Sequence, residues 1–137
     1  MEQLLVDTNF VYAVLYRRDK DHALALAYYE ALGQRALLPT ITLPEIAYLV
    51  NRVGGTTAVI EVMTTLRSEF EMVEVNQQDY DRAIEILRKY HDSRIDFVDA
   101  CIMALAERLK ITRILTFDRR DFGLYRPAHC DTFDLLP

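Results

Sequence analysis

Glycine is scarce in this chain. Only four are present, at positions 33, 54, 55 and 123. At that spacing they spell neither a Walker phosphate loop nor a dinucleotide fingerprint. Serine is scarcer: Ser68 and Ser93 stand alone, and neither lies in a G-x-S-x-G elbow. Two cysteines, Cys101 and Cys130, are too few for a disulfide framework. The three histidines, His22, His91 and His129, show no zinc-ligand spacing with either of them. No apolar run approaches the ~20 residues of a membrane helix. No basic-then-apolar opening marks a signal peptide. The expectation is a cytoplasmic protein with reduced thiols.

What is present is apolar mass and acid. The chain has 137 residues, 51% of them hydrophobic, which fits one domain over residues 1–137. A domain of that size buries roughly two thirds of the surface its unfolded chain exposes. The formal net charge is −5 and the isoelectric point about 5.2. That balance argues against holding nucleic acid by bulk charge. It leaves room for an enzyme whose carboxylates gather at a metal site, since bound divalent cations would offset them.

Hydrophobic periodicity alternates strands with helices. Short apolar strands are predicted at residues 4–6, 36–38, 70–75 and 113–117, with a last one within 128–136. Helices are predicted from Thr8, over 23–32, from Thr42 to a break at Gly54 and Gly55, over 58–66, 79–90 and 95–110. "TLPE" from Thr42 reads as a capping box with Pro in the first turn. The pattern gives an α/β protein with a mainly parallel central sheet flanked by helices. In such sheets ligands bind beyond the carboxyl ends of the strands. Asp7 and Asp118 each follow a strand, so both should lie on that edge.

Four carboxyls stand out: Asp7, Glu45, Asp99 and Asp118. Taken singly, three have plain uses. Asp7 caps the helix that follows, Glu45 closes the capping box, and Asp118 makes a turn. Asp99 is different. At about 100° per residue, Ile95, Val98, Ile102, Leu105, Ala106 and Leu109 form one apolar stripe, with Asp99 at its edge. Asp96 falls about 60° further towards solvent. A carboxylate at the rim of a buried face needs a partner: an arginine, a backbone donor or a metal. Two carboxylates ~4 Å apart repel by roughly 4 kcal/mol at an effective dielectric of 20. Four together need cations or protons, and hard divalent ions suit them.

Several stretches together resemble the PIN-domain ribonucleases, and more closely the VapC-type toxins of type II toxin–antitoxin pairs. "LLVDTNFVYAVL" is similar to the family's opening strand, and "DKDH" at residues 19–22 to a D-x-x-H step common in these toxins. "LPTITLPEIAYLV" resembles the segment carrying the helix acid. "FVDACIMALAERLKITRILTFDRRDF" resembles the closing motif, and "RPAHCDTFDLLP" its tail. The resemblance implies a PIN-like three-layer sandwich and a metal-dependent endoribonuclease using Mg²⁺ or Mn²⁺. By that resemblance the expected products carry a 5′-phosphate and a 3′-hydroxyl. It carries Asp7, Glu45, Asp99 and Asp118 onto the catalytic site, with Asp7, Asp99 and Asp118 as metal ligands. Glu45 is either a ligand or the group that orients the attacking water. Thr8 and Thr116 match supporting hydroxyls. Asp96 departs from the family's usual small residue, and Asp121 is expected at the surface or in a turn. The resemblance also implies a homodimer and a cognate antitoxin protein.

Arg119 and Arg120 are placed to meet RNA phosphate beside the metals, with Arg17, Arg18 and Lys20 as an extension. His22 should pack or hydrogen-bond at a helix start. The apolar stripes of residues 45–53 and 58–66 suit core packing, with part left for a dimer face or an antitoxin helix. Two other readings compete with RNA cleavage: a catalytically silent interaction module of the same fold, and a metal-dependent phosphatase.

Overall fold

The computed structural model describes residues 2–137. Strand β1 (Leu4–Val6) leads into helix α1 (Thr8–Leu15) and then α2 (His22–Glu30). Strand β2 (Leu37–Pro39) passes through a single 3-10 turn into the long helix α3 (Leu43–Glu69). Strand β3 (Glu71–Val73), helix α4 (Gln77–Lys89) and helix α5 (Phe97–Leu109) follow. Strand β4 (Arg113–Leu115), helix α6 (Arg119–Leu124) and strand β5 (Asp134–Leu136) end the chain. The five strands form one sheet in the order β3-β2-β1-β4-β5, every pair parallel.

A central parallel strand has both faces covered, so it reads as an unbroken apolar run. β1 and β2 are buried throughout. Successive side chains feed opposite layers. Leu5, Leu37 and Ile114 join α4 and α5 on one face, while Leu4, Val6, Leu38 and Leu115 join α1, α2 and α3 on the other. The result is the three-layer α/β/α architecture expected from the sequence.

The strand order matters more for the site. From β1 the sheet grows outward through β2 to β3, and the chain then crosses back to lay β4 on the other side of β1. The helix after β1 packs on one face through Phe10 and Val11; the helix after β4 packs on the opposite face through Phe122. Adjacent strands whose connections leave in opposite directions open a crevice at their carboxyl ends. Asp7 and Asp118 flank that crevice.

Helix α5 is held against α4 from behind. Arg108 Nε donates to Asp79 Oδ1 at 2.9 Å. Arg82 Nε donates to Glu107 Oε1 at 2.8 Å, and the Tyr125 hydroxyl and the Ala128 N–H donate to Glu107 Oε2 at 2.6 and 2.7 Å.

Local differences from the sequence reading have local causes. Helix α5 starts at Phe97 because Asp96 is extended (φ −96°, ψ −179°) and caps it. The segment read as one strand over 113–117 ends at Leu115, and only Asp134–Leu136 of 128–136 pairs with it. Helix α6 was not foreseen; six residues are too few to show a period. His22 opens α2 with Nδ1 2.7 Å from the Ala13 carbonyl, as expected.

The predicted break at Gly54 and Gly55 is present as a kink inside α3, where two helical segments meet: Gly55 has φ +70° and ψ −169°. Only glycine adopts that conformation without strain. Gly55→Ala should lower the unfolding free energy by about 1–3 kcal/mol in urea melts. An unchanged midpoint would show that the kink is not needed.

Candidate active site

Asp7 is placed by the sheet. Its N–H donates to the Leu115 carbonyl at 2.9 Å, extending the β1–β4 ladder by one step. It then serves as N-cap of α1, with Oδ1 accepting from the Thr8 N–H at 2.8 Å. Its other oxygen, Oδ2, accepts from the Thr116 hydroxyl at 2.9 Å. Thr116 is itself buried and accepts from the Asp118 N–H at 3.0 Å. Asn9 Oδ1 accepts from the Phe117 N–H at 3.0 Å and so ties α1 to the segment after β4. The β1 and β4 ends are thus one hydrogen-bonded unit.

Glu45 does not close the capping box read from the sequence. Thr42 sits in the 3-10 turn with helical backbone angles and makes no side-chain cap. Its buried hydroxyl instead donates to the Pro39 carbonyl at 2.7 Å. Freed of that role, Glu45 Oε1 accepts from the Thr8 hydroxyl at 2.6 Å. Thr8 therefore joins two acids, Asp7 by its N–H and Glu45 by its side chain.

The capping box expected at Thr42 occurs elsewhere. Asp96 Oδ1 accepts from the Asp99 N–H at 2.8 Å, and Asp99 Oδ2 accepts from the Asp96 N–H at 3.3 Å. Asp118 caps α6 in the same way, its Oδ1 accepting from the Asp121 N–H at 3.0 Å.

These residues share one cleft of about 710 Å³ at the carboxyl ends of β1 and β4. Asp7, Glu45, Asp99 and Asp118 all line it, as do Asp96, Asp19 and Asp121. Among the described residues, Arg94 is its only basic lining residue. Asp121 corrects the sequence reading. It is 8% exposed rather than at the surface. One carboxylate oxygen from each of Asp99, Asp118 and Asp121 lies within 4.8 Å of the others. Asp7 stands outside that tight group, although each of its oxygens keeps a lone pair beyond its single hydrogen bond.

Arg119 and Arg120 do not line the cleft. Both are exposed, and Arg119 Nη2 donates to the carbonyl of Pro137. Sequence reasoning passed over Asn9 and Arg94 and left Asp121 at the surface or in a turn. The first was within the quoted "LLVDTN", and Asp121 stands three residues after Asp118, which is the cap-to-N3 spacing; no comparable signal marks Arg94.

The electrostatics follow from the crowding. Burial pushes Asp7 up to about 6. Hydrogen bonds from Thr116 and Thr8 favour its charged form and only partly offset this, while Glu45 and Asp118 add to the rise. Burial, and then the charges of Asp96 and Asp7, push Asp99 up to about 8. Asp121 is also raised, by burial first and by Asp118 next. The donor set is chemically suited to a hard cation. It is all carboxylate, and no histidine or cysteine among the described residues lines the cleft.

In the metal-free protein these shifts set a sign. Below the ordinary carboxyl value of 3.8, Asp99 is neutral in both folded and unfolded chains and costs nothing. As pH rises towards about 8 the unfolded chain ionises while the folded carboxyl resists, so stability is lost across that window. Asp99→Asn removes the charge. With chelator present, the variant should melt several degrees above the unsubstituted protein at pH 8, and the gain should vanish near pH 4. A gain independent of pH would contradict the assignment.

A family model described as PIN domain matches residues 4–128. Ribonuclease VapC26 of Mycobacterium tuberculosis (strain ATCC 25618 / H37Rv) is 28% identical over 135 residues, covering 98% of this chain and 100% of that protein. The crystal structure of Mycobacterium tuberculosis VapC20, described as a sarcin-ricin loop cleaving toxin, has a TM-score of 0.82 at 22% identity, covering 93% of this chain and 98% of that one. A toxin–antitoxin complex from Klebsiella pneumoniae has a TM-score of 0.65 at 22% identity, covering 89% and 92%. At these identities the two structures bear on the fold, and their fold is this one. With its family match running from β1 to beyond α6, the chain belongs to the PIN domain family.

Proposed function

We propose that this protein is a metal-dependent endoribonuclease and the toxin of a toxin–antitoxin pair. The observation that carries the reading is the cleft at the β1–β4 switch point. There several carboxyls crowd together with raised proton affinity and almost no protein cation to balance them. An interaction surface would gain nothing from that cost. The name of a similar protein, a ribonuclease matching nearly the whole chain, supports RNA as the substrate.

Asp7, Asp99 and Asp118 are proposed to hold Mg²⁺ or Mn²⁺, with Asp121 completing the tight group. When bound, the cations neutralise the scissile phosphate and acidify the attacking water. The chain's own residues do the rest. Thr116 and Thr8 hold the Asp7 carboxyl in a single rotamer through both oxygens. The Asp96 N–H fixes Asp99, and the Asp121 N–H fixes Asp118. Glu45 has Oε1 engaged by Thr8, and its Oε2 is left to orient water and take its proton. Fixing these groups beforehand removes reorganisation from the reaction.

The proposed partners are an antitoxin, a second copy of the chain and RNA, all within the cytoplasm; no helix of the described residues is long and apolar enough to cross a membrane. An apolar hollow of about 260 Å³ between α1, α2 and the end of α3, lined by Val11, Val14, Leu15, Tyr29, Leu66 and Phe70, suits an antitoxin side chain. Tyr48, Val53 and Ile60 on α3 are exposed and suit the same partner or a second copy.

The test is cleavage of total RNA with end sequencing. Activity should need Mg²⁺ or Mn²⁺, disappear with chelator, and fall at least about 100-fold in Asp99→Asn, the upper end of losses seen even for outer-shell metal partners. Preferential turnover of small phosphomonoesters would select a phosphatase. Tight partner binding without metal-dependent cleavage would select an interaction module.

A further inference from the structure

The acidic cleft has a neighbour of opposite character. A second hollow of about 420 Å³ is lined by Lys89, Tyr90, Ser93, Arg94, Arg120 and Asp121, among others. Arg94 and Asp121 line both hollows, so the two adjoin. Where the first presents many carboxyls and one guanidinium, the second presents three cations, Lys89, Arg94 and Arg120, against Asp92 and Asp121.

Among the described residues these cations form no close ion pair, although Arg94 and Arg120 stand near enough to Asp121 to ease its charge. Arg82, Arg108 and Arg113 form ion pairs among the described residues; Lys89, Arg94 and Arg120 have no carboxylate oxygen within 4.0 Å. The loop carrying Arg94 is also fixed. The Ser93 N–H and hydroxyl both donate to the Tyr90 carbonyl, at 2.9 and 2.6 Å, and Ser93 Oγ accepts from the Ile95 N–H at 3.2 Å. Tyr90 is pinned in turn: its ring lies 5.3 Å from that of Tyr125, and its hydroxyl accepts from the Arg126 N–H at 3.1 Å. Lys89 Nζ lies over the Tyr90 ring, 5.8 Å from its centre. Three unpaired cations around a rigid concavity form a site for an anion.

We propose that this second hollow is a substrate subsite. It holds the phosphodiester that adjoins the scissile one on the RNA strand, with Lys89, Arg94 and Arg120 as its contacts. The proposal rests on the ribonuclease reading given above. RNA is a chain of regularly spaced anions, and the acidic cleft repels every phosphate except one neutralised by metal. A strand leaving that cleft over the shared Arg94 and Asp121 edge enters the second hollow. Arg94 stands on that edge and marks the boundary between the scissile phosphate and its neighbour. The arrangement also explains how an acidic protein can hold RNA: the positive potential is local and lies next to the chemistry.

The test compares Lys89→Gln/Arg120→Gln with the unsubstituted protein and with Arg67→Gln/Lys110→Gln, a control of equal charge change. Arg67 ends α3 and Lys110 precedes β4, so both lie at the opposite end of the sheet. All four side chains are exposed, and urea melts confirm that each variant folds. Binding of a twelve-nucleotide single-stranded RNA is followed by fluorescence anisotropy between 50 and 300 mM salt. Each phosphate contact contributes about 0.7 to the slope of log K against log salt on a single strand. The subsite variant should lose about 0.7 from the slope, the share of one phosphate, and bind several-fold more weakly at low salt; the control should match the unsubstituted protein.

In cleavage, kcat/KM on the twelve-nucleotide RNA should fall in the subsite variant. It should be unchanged on a dinucleotide, which has no adjoining phosphate. An unchanged salt slope would overturn the subsite, as would equal losses on both substrates or binding of polyglutamate in preference to RNA. A protein that cleaves no RNA with either metal would overturn the ribonuclease reading instead, and the salt slopes would still decide whether the hollow binds the strand.

Discussion

Mutual repulsion among carboxyls brought to one point is the constraint that the site obeys. Sheet order creates the point. β1 and β4 are neighbours whose following helices depart to opposite faces, and an acid stands just beyond each strand. Helices α3 and α5 then bring Glu45 and Asp99 in from the two layers. No rearrangement of side chains alone would relieve the crowding. Asp7 is locked by two donors, and Asp99 and Asp118 by one backbone N–H each. The fold holds the charges together and leaves their neutralisation to protons or cations.

The same hydrogen bonds answer a question that single residues leave open. Asp7 caps α1, Asp118 caps α6, and Asp99 is the acid of a capping box on α5. A capping role was the plain alternative to a catalytic one for Asp7, and the observed cap does not by itself exclude the proposed metal role. A cap occupies one lone pair and sets the rotamer, leaving the remaining lone pairs aimed at the cleft. The positive end of each helix also eases the negative charge gathered there, though by less than burial and mutual repulsion raise it.

Much of this was legible in the sequence because it depends on order and period. Asp7 and Asp118 follow apolar strands, and a parallel sheet puts such positions on one edge. Asp99 breaks the edge of an apolar stripe. What was not legible depends on short or irregular backbone. Glu45 was assigned to Thr42 because the spacing fits a capping box, but a 3-10 turn redirects the Thr42 hydroxyl to Pro39 and leaves Glu45 for Thr8, far away in sequence. Asp121 is buried only because α6 turns it inward, and a helix of six residues carries no periodic signal. Arg94 acquires its position from the Ser93 turn between α4 and α5. Propensity marks such a turn without saying where its side chains point.

The chain treats its buried acids in two ways, and the contrast argues for purpose. Behind the site, Glu107 and Asp79 are buried and each is met by an arginine. Although burial raises Glu107, hydrogen bonds from Arg82, Tyr125 and the Ala128 N–H outweigh it and hold the carboxyl below its ordinary range. At the cleft, Asp7 and Asp121 are equally buried, yet among the described residues no Lys or Arg nitrogen lies within 4.0 Å of either, and both are raised. Arginine is available nearby, since Arg94 lines the cleft and Arg120 the adjoining hollow. A sequence under pressure for stability alone would have paired those acids as it paired Glu107. Leaving them unpaired while anchoring α5 firmly from the other side keeps the cleft negative and its geometry fixed. Those are the two properties that binding hard cations and positioning a phosphate between them require.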